Sequence, residues 1–330
     1  MLGKVWVPLA IWMLLVVPAK TAEIQISTEN TVAHFQTVFL QNYAKALNEA
    51  IPKHHFTVIH TAKAFSDREV AAAVSSARVA IAAPGIWHLG QYSSDLDALL
   101  LPYFMGLEAQ TVRTLVDGKV GQALSSSLER HLNIKVFGKW LDVGPAYIFT
   151  RDKAIHRFSD LKGLRIRYAG GTANALRLAA LGATPVLIPW PNVSEALENS
   201  EIDGILSTSS AVVSAALWEH GIKYAFRSNS YYPFYVPVIS RDIWKRLSDD
   251  QRDIIADTWN EMISEGRALA VAHDEMSINK LRTNGTSITT PSTEDLDTVR
   301  RALRTHQHEI AQQVGISENM LGILAQYGSN

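Results

Sequence analysis

The stretch 159–204 constrains the fold more than any other part of the chain, because apolar strand-like runs alternate in it with helical segments. Its pattern predicts strands over 164–168 and 184–188, and helices over 172–181 and 192–200. Such a β-α-β-α order is typical of open α/β sheets, which bind ligands beyond the carboxyl ends of their strands. Arg167 and Tyr168, followed by the Gly170-Gly171 break, fall at such an end and indicate a ligand site there.

The amino-terminal third of the chain shows the same alternation. Strands are predicted over 23–27, 56–59 and 78–82, with a helix over 31–50 between the first two. A capping box, Ser66 with Glu69, predicts that the next helix opens at Ser66 and continues to residue 77. Strands separated in this way favour a parallel, doubly wound sheet.

Length and composition limit the class of protein. A chain of 330 residues exceeds what a single hydrophobic core supports, so two lobes are expected. A hydrophobic content of 47% with 19% charged residues indicates a globular protein, and a net charge of −1 without a basic run argues against nucleic-acid binding. The absence of cysteine excludes disulfides and thiolate chemistry.

The amino terminus predicts export. Lys4 precedes an uncharged apolar run over 5–17, which has the length of a signal-peptide core and is too short to span a bilayer. Cleavage after Ala19 or after Ala22 fits the small residues that follow. We expect residues 1–22 to be a signal peptide and the mature protein to be periplasmic.

A second capping box, Ser248 with Gln251, predicts a helix from Ser248 to about residue 281 without an internal proline. At ~1.5 Å per residue it would measure roughly 50 Å, more than one lobe can cover, so it should bridge both lobes or bend near Gly266. We expect the chain to cross between lobes near residues 150 and 231. The predicted domains are lobe 1, residues 23–147 with 232–272, and lobe 2, residues 148–231 with 273–330.

Three motifs in the central stretch carry a family resemblance. They are L-K-G-L-R-I-R at 161–167, L-G-A-T-P-V at 181–186 and E-A-L-E-N-S-E-I-D-G at 195–204, preceded by L-P-Y-F at 101–104. In this order they resemble the DctP-type solute receptors of tripartite ATP-independent periplasmic (TRAP) transporters. The resemblance implies an α/β, two-lobed periplasmic-binding-protein fold, in which each lobe is a doubly wound sheet flanked by helices and a long helix spans both lobes.

The resemblance also assigns a role to Arg167, which matches the arginine that meets the substrate carboxylate in these receptors. A planar, always charged guanidinium suits a bidentate pair with a carboxylate. On the residues alone, a surface salt bridge is the alternative for an arginine in this setting. Arg165 lies two residues away, on the same face of the strand unless the strand has ended, and is expected to be solvated.

Departures from the family pattern leave the substrate open. Ala146 stands where many of these receptors have a second pocket arginine, and Asn192 and Ser207 lie in motifs that differ from the family's polar pocket wall. A small dicarboxylate is thereby disfavoured relative to an acid with one carboxylate and a larger apolar body, but both remain possible.

The remaining site residues come from loops at strand ends and from the aromatic segment near the second crossing. Trp87 either lines the pocket or packs under its loop. The residues predicted to bind substrate are Arg167, Trp87, His88, Tyr168, Asn192, Ser207, Tyr231 and Tyr235. The known sequence signatures of nucleophilic, phosphate-binding and zinc sites are missing, so no catalytic residue, cofactor or metal ligand is predicted.

The sequence therefore predicts the solute-binding subunit of a TRAP transporter, which captures an organic acid and delivers it to the small and large membrane subunits. The expected protein is a monomer and not an enzyme. A binding protein that serves a sensor is the first alternative, and an exported enzyme on a similar scaffold is the second.

Overall fold

The computed structural model describes residues 22–327. Apart from Ala22, the predicted signal peptide lies outside the described residues. In chain order the strands are β1 (Ala22–Ser27), β2 (His54–Ile59), β3 (Ile81–Ala82), β4 (Ile134–Val136), β5 (Leu141–Asp142), β6 (Ala146–Thr150), β7 (Arg165–Tyr168), β8 (Thr184–Leu187), β9 (Gly204–Thr208), β10 (Tyr224–Phe226), β11 (Phe234–Tyr235), β12 (Val238–Ser240) and β13 (Ser287–Thr289). The α-helices are α1 (Phe35–Ala50), α2 (Val70–Ser75), α3 (Ile86–Leu89), α4 (Ala109–Val116), α5 (Lys119–His131), α6 (Thr172–Ala180), α7 (Val193–Glu198), α8 (Ser209–Ser214), α9 (Arg241–Arg246), α10 (Asp249–Thr283), α11 (Thr293–Thr305), α12 (Gln307–Val314) and α13 (Glu318–Ala325).

The strands are divided between two main sheets. The first sheet has the order β2-β1-β3-β12-β4, and the second has the order β13-β10-β6-β9-β7-β8. In the first, β1 is parallel to β2 and β3, whereas β12 is antiparallel to both of its neighbours. In the second, β7 is parallel to β8 and β9, and β6 is antiparallel to β9 and β10. The predicted two-lobed α/β fold is confirmed, with mixed rather than purely parallel sheets.

Two strands that belong to neither main sheet mark the crossings between lobes. The chain passes from β4 in the first sheet through β5 to β6 in the second, and returns from β10 through β11 to β12. β5 and β11 pair in an antiparallel ladder, with Tyr235 opposite Leu141. The two crossing segments are therefore tied to each other by backbone hydrogen bonds.

Helix α10 is the third connection between the lobes. Ser248 caps it in a complete capping box with Gln251, as the sequence predicted. Near its start Trp259 packs edge-on against Phe39 of α1, at 5.0 Å between ring centroids. Near its end Asp274 accepts a hydrogen bond from Tyr147 of β6 at 3.0 Å. The helix runs without interruption through Gly266 and contacts elements that pack on both sheets.

Helix α2 begins later than predicted. The Ser66 hydroxyl and backbone N–H both donate to the Glu69 carboxylate, at 2.6 and 3.2 Å. The other half of a capping box, in which Ser66 accepts from the first turn, is not formed among the described residues, and α2 starts only at Val70. This shift leaves Asp67 in the loop before the helix.

Apolar side chains pack on each sheet and also between the sheets. The cluster of the first lobe includes Phe39 and Trp259, and that of the second includes Phe149 and Ile205. A third cluster extends from Val238 of the first sheet to Ile166 of the second. Among residues 22–327 no helix is both long and apolar enough to cross a bilayer.

Candidate ligand-binding site

A small cavity, partly open to solvent, lies between the two sheets, at the ends of β1, β7 and β9 and beside the crossing segments. The centre of a water-sized sphere can occupy about 50 Å³ within it. Its walls contain charged, amide, hydroxyl and aromatic side chains contributed by both lobes. The lining residues are Glu29, Asn30, Asp67, Trp87, His88, Val143, Arg167, Ala169, Trp190, Leu206, Ser207, Thr208, Ala211, Tyr231, Pro233 and Tyr235.

Arg167 is the buried cation of this cavity, with only 1% of its surface exposed. Its Nε atom donates to the Ile188 carbonyl at 2.8 Å, and its guanidinium lies 5.5 Å from the centre of the Trp190 ring. Its Nη2 atom is buried and has no hydrogen-bond partner among the described residues. Burial lowers the Arg167 pKa to about 10, so the group stays cationic at neutral pH. The N–H groups on Nη2 thus lack a hydrogen-bond acceptor.

Asp67 and His88 form a buried pair next to Arg167. The His88 Nε2 atom lies 3.2 Å from the Asp67 Oδ2 atom, and both side chains are less than 5% exposed. Burial alone would raise the Asp67 pKa, but the hydrogen bond and charge of His88, with the charge of Arg167, bring that pKa below its usual value. Burial lowers the pKa of His88. Asp67 also accepts from the Trp190 backbone N–H at 3.3 Å, which links a first-lobe loop to the second lobe.

Glu29 and Asn30 follow β1 after Thr28 and are both buried. The Asn30 amide donates to the Tyr235 hydroxyl at 2.9 Å, and the Gln36 amide below it donates to the Ala83 carbonyl at 2.8 Å. Burial, assisted by the nearby charge of Asp67, raises the Glu29 pKa to about 8. The Glu29 carboxyl group is therefore largely protonated at neutral pH in the ligand-free protein.

Aromatic rings form much of the remaining wall. Trp87 and Tyr235 are tilted by 59° with centroids 5.6 Å apart. Tyr231 is buried, and the Arg177 guanidinium lies 5.2 Å from the centre of the Tyr231 ring. Burial raises the Tyr231 pKa to about 12, so its hydroxyl is neutral.

Close packing between the lobes brings these walls together. A Cβ atom on Gly170 would lie 2.4 Å from the Trp87 carbonyl oxygen, a distance that no larger residue tolerates. Arg177 donates across the interface to the Leu100 carbonyl at 2.6 Å, and the Ala173 N–H donates to Asp97 at 3.0 Å. The break after β7 is thus a point where the lobes touch.

The sequence comparison identifies the family. The family model of DctP, bacterial extracellular solute-binding protein family 7, matches residues 26–313. The chain belongs to this family. The predicted resemblance is confirmed.

Two relatives found by sequence comparison are described as solute-binding proteins. The C4-dicarboxylate-binding protein DctB of Bacillus subtilis is 26% identical over 207 residues, 61% of this chain and 58% of that protein. The 2,3-diketo-L-gulonate-binding periplasmic protein YiaO of Escherichia coli is 27% identical over 205 residues, 62% of this chain and 60% of that protein. The aligned region thus spans about three fifths of the length of these relatives.

Solved structures share the fold. The sugar acid binding protein DctPAm of Advenella mimigardefordensis, in complex with galactonate, superposes with a TM-score of 0.87 at 18% identity, over 94% of this chain and 99% of that one. A TRAP periplasmic solute binding protein from Sulfurospirillum deleyianum, with bound succinate, gives a TM-score of 0.84 at 20% identity, over 92% and 98% of the two chains. The family fold therefore extends over nearly all of this chain.

Most of the residues predicted from the sequence of this family-7 protein lie together at the cavity. Those that line it are Arg167, Trp87, His88, Ser207, Tyr231 and Tyr235. Tyr168 is half-buried at the end of β7, and Asn192 is exposed before α7; neither lines the cavity. Ala146, the position without the second arginine, is buried in β6 opposite Thr208. No cation replaces that arginine among the lining residues.

Sequence reasoning missed Glu29, Asn30, Asp67 and Trp190 as lining residues. Glu29 and Asn30 follow the predicted first strand, so the rule that ligands bind at carboxyl ends of strands could have found them. Asp67 was assigned to the first turn of a helix that in fact starts later. No sequence pattern around Trp190 predicted that it lines the cavity, because its position depends on packing against the Arg167 guanidinium.

Proposed function

We propose that the chain is the extracytoplasmic solute receptor of a TRAP transporter. It binds a small organic acid between its lobes and delivers it to the small and large membrane subunits for uptake. It acts in the periplasm as a monomer, after removal of residues 1–22. The names of the relatives support this proposal, since those proteins are described as binding proteins for carboxylates and sugar acids.

The observation that carries the proposal is that Arg167, a buried cation lining the cavity, has an Nη2 atom without a hydrogen-bond partner among the described residues. A buried cation with an unpartnered N–H is costly unless an acceptor binds to it. A carboxylate satisfies both the charge and the hydrogen bond, and does so in a dry site where such pairs are strong. The proposed contact residues are the six predicted residues that line the cavity, Arg167, Trp87, His88, Ser207, Tyr231 and Tyr235, joined by Glu29, Asn30, Asp67 and Trp190. Tyr168 and Asn192, which do not line it, are not among them.

Binding without chemistry fits the same geometry. His88 is bonded to Asp67, and no serine or threonine hydroxyl within residues 22–327 is hydrogen-bonded to its imidazole. The same residues contain no cluster of three or more His, Asp or Glu side chains arranged to hold a metal ion. We therefore propose a receptor rather than an exported hydrolase.

The lobes of this receptor are proposed to be residues 23–147 with 232–272 and residues 148–231 with 273–330. The crossings through β5 and β11 and the span of α10 support this division. Both proposed lobes contribute walls to the cavity, so the ligand holds them together.

A thermal-shift screen against small organic acids tests the function. A ligand at 100 times its dissociation constant should stabilise the protein by about 2.7 kcal/mol. Transport of the same compound in cells that carry the membrane subunits, lost on deletion of this chain, distinguishes a transporter subunit from a sensor. Binding without any dependence of uptake on this chain would favour the sensor.

A further inference from the structure

Two cavity groups are left without partners that match their charge. One is the Nη2 atom of Arg167, which is buried and unbonded among the described residues. The other is the carboxyl group of Glu29, which within residues 22–327 accepts only from its own backbone N–H. Asp67, in contrast, is fully engaged by His88 at 3.2 Å, the Trp190 N–H at 3.3 Å and the Arg68 N–H at 3.0 Å.

The Glu29 carboxyl lies on the first-lobe wall of the cavity. Its charge acts on the Tyr235 hydroxyl and is itself opposed by the charge of Asp67. Glu29, Asp67 and Tyr235 all line the cavity, and Glu29 is only 8% exposed. A buried carboxyl group beside a second carboxylate is a site for a cation or a strong hydrogen-bond donor, because either one relieves the repulsion.

Two aromatic rings stand beside this acidic wall. Trp87 and Tyr235 both line the cavity, with centroids 5.6 Å apart and planes tilted by 59°. Aromatic faces attract alkylammonium groups, and the attraction grows when the cation is removed from water. The ring of Trp190, on the other wall, is already occupied by the Arg167 guanidinium.

We propose that the ligand of this site is a small zwitterion, an amino acid or betaine, with its carboxylate on Arg167 and its ammonium group between Glu29, Trp87 and Tyr235. This inference rests on the proposed function, since it names the class of acid that the receptor carries. The cavity volume of about 50 Å³ is small, so the bound molecule is compact.

The charges of the site explain why a dicarboxylate fits it poorly. Such a ligand would pair one carboxylate with Arg167 and hold the second one near the ionised Asp67 and near Glu29, which carries a negative charge only above its pKa of about 8. Like charges at short range in a buried site are strongly unfavourable. Position 146, where a second arginine would compensate, holds a buried alanine. A zwitterion instead places its carboxylate on Arg167 and its ammonium group beside Glu29, the two cavity groups that lack partners.

The test uses ligand pairs that differ only in the charged nitrogen. Glycine betaine is compared with 3,3-dimethylbutyrate, proline with cyclopentanecarboxylate, and β-alanine with butyrate, by calorimetry on protein purified from the periplasmic fraction. At least one zwitterion should bind 10-fold or more tightly than its partner acid. Glu29→Gln should remove this preference, whereas Glu29→Asp, which keeps the charge, should retain part of it.

The pH dependence gives a second readout from the same samples. Ionisation of Glu29 between pH 6 and 9 should strengthen zwitterion binding and weaken binding of the partner acid. The charged and titratable groups that face Glu29 are Asp67, its partner His88, the Tyr235 hydroxyl and Arg167. Glu29→Gln should abolish the opposite slopes, and its thermal unfolding curve shows whether the variant is folded.

The outcomes separate this inference from the proposed function. If the acids bind as tightly as the zwitterions, and Arg167→Ala abolishes binding, the receptor function stands and the zwitterion is wrong. If Glu29→Gln leaves the preference of a folded protein unchanged, the assignment of the ammonium group to Glu29 is wrong. If neither class binds, both proposals fail.

Discussion

At the level of single residues, Arg165 and Arg167 show how two similar side chains on one strand have different roles. Both lie in β7, yet Arg165 is partly exposed and paired with Asp203 at 2.7 Å, whereas Arg167 is buried at the cavity. The sequence left a surface salt bridge as the alternative role of Arg167. In the structure it is Arg165 that forms such a salt bridge. Their substitutions to alanine form a matched pair of variants.

Arg167→Ala should weaken ligand binding by about 2 to 5 kcal/mol, roughly 30-fold or more, because the ligand carboxylate would be buried without its partner. Arg165→Ala should change the affinity little, since an exposed ion pair contributes only about 0–1 kcal/mol. Isothermal titration of both variants with the ligand found by screening measures the difference. Equal losses would contradict the role assigned to Arg167.

The pH dependence of the ligand-free protein should reveal Glu29. Its pKa in the folded state is about 8, above the ordinary value of 4.5, so folding favours the protonated form. The corresponding stability is fully present below pH 4.5 and is lost as the pH rises through 8. His34, whose pKa burial lowers to about 3, acts in the opposite direction and only below pH 6.5.

Between pH 6.5 and 9 we therefore expect the melting temperature of the wild-type protein to fall more steeply than that of Glu29→Gln. Thermal unfolding of both proteins in the absence of ligand measures the two slopes. Parallel slopes would show that Glu29 is ionised throughout this range.

At the level of elements, Gly266 lets neighbouring elements pack closely against helix α10. The 35 residues of this helix extend about 52 Å, enough to contact both lobes. The sequence suggested Gly266 as a weak point, but the residue is buried where Phe39 and Leu141 pack against the helix. A Cβ atom there would lie 2.7 Å from Phe39 Cε2 and 2.8 Å from Leu141 Cδ1.

Gly266→Ala should accordingly destabilise the protein by about 1–3 kcal/mol through overpacking, despite the better helix propensity of alanine. Gly322→Ala in α13 is the control, because nothing lies within 4 Å of its added Cβ atom. That substitution should stabilise the protein by about 0.5–1 kcal/mol. Denaturant unfolding compares the two, and a stabilised Gly266→Ala variant would contradict the packing argument.

At the level of the whole molecule, the cavity exists because the lobes meet around it. Asp67 receives the Trp190 N–H, Asp97 receives the Ala173 N–H, and an apolar cluster continues from one sheet to the other. Opening the cleft must break these contacts, while a ligand adds contacts to both walls and favours closure. The paired crossings and α10 are the segments able to take up the movement.

We expect small-angle X-ray scattering to show a smaller radius of gyration at saturating ligand than without ligand. The Arg167→Ala protein at the same ligand concentration is the control and should keep the larger value. Superimposable curves for the wild-type protein with and without ligand would exclude closure on binding, even where calorimetry detects a complex.

Local sequence determined the parts of this protein that depend on local chemistry. The alternation around Arg167 predicted β7, α6, β8 and α7 to within a few residues, since apolar periodicity decides which face of an element is buried. The Ser248 capping box located the start of α10, and the family motifs identified the fold. The sequence predicted site residues where the strand before them had a clear apolar pattern, as for Arg167 in β7 and for His88 in the segment after β3.

Tertiary structure alone decided which distant residues share the cavity. Asp97 is only 1% exposed, and it accepts a hydrogen bond from the Ala173 N–H in the first turn of α6. The pairing of Asp67 with His88 and the stacking of Trp190 on Arg167 join different elements, and no periodicity within one element encodes such contacts. Gly266 likewise owes its role to Phe39 and Leu141, because steric fit between elements becomes defined only once the chain has packed.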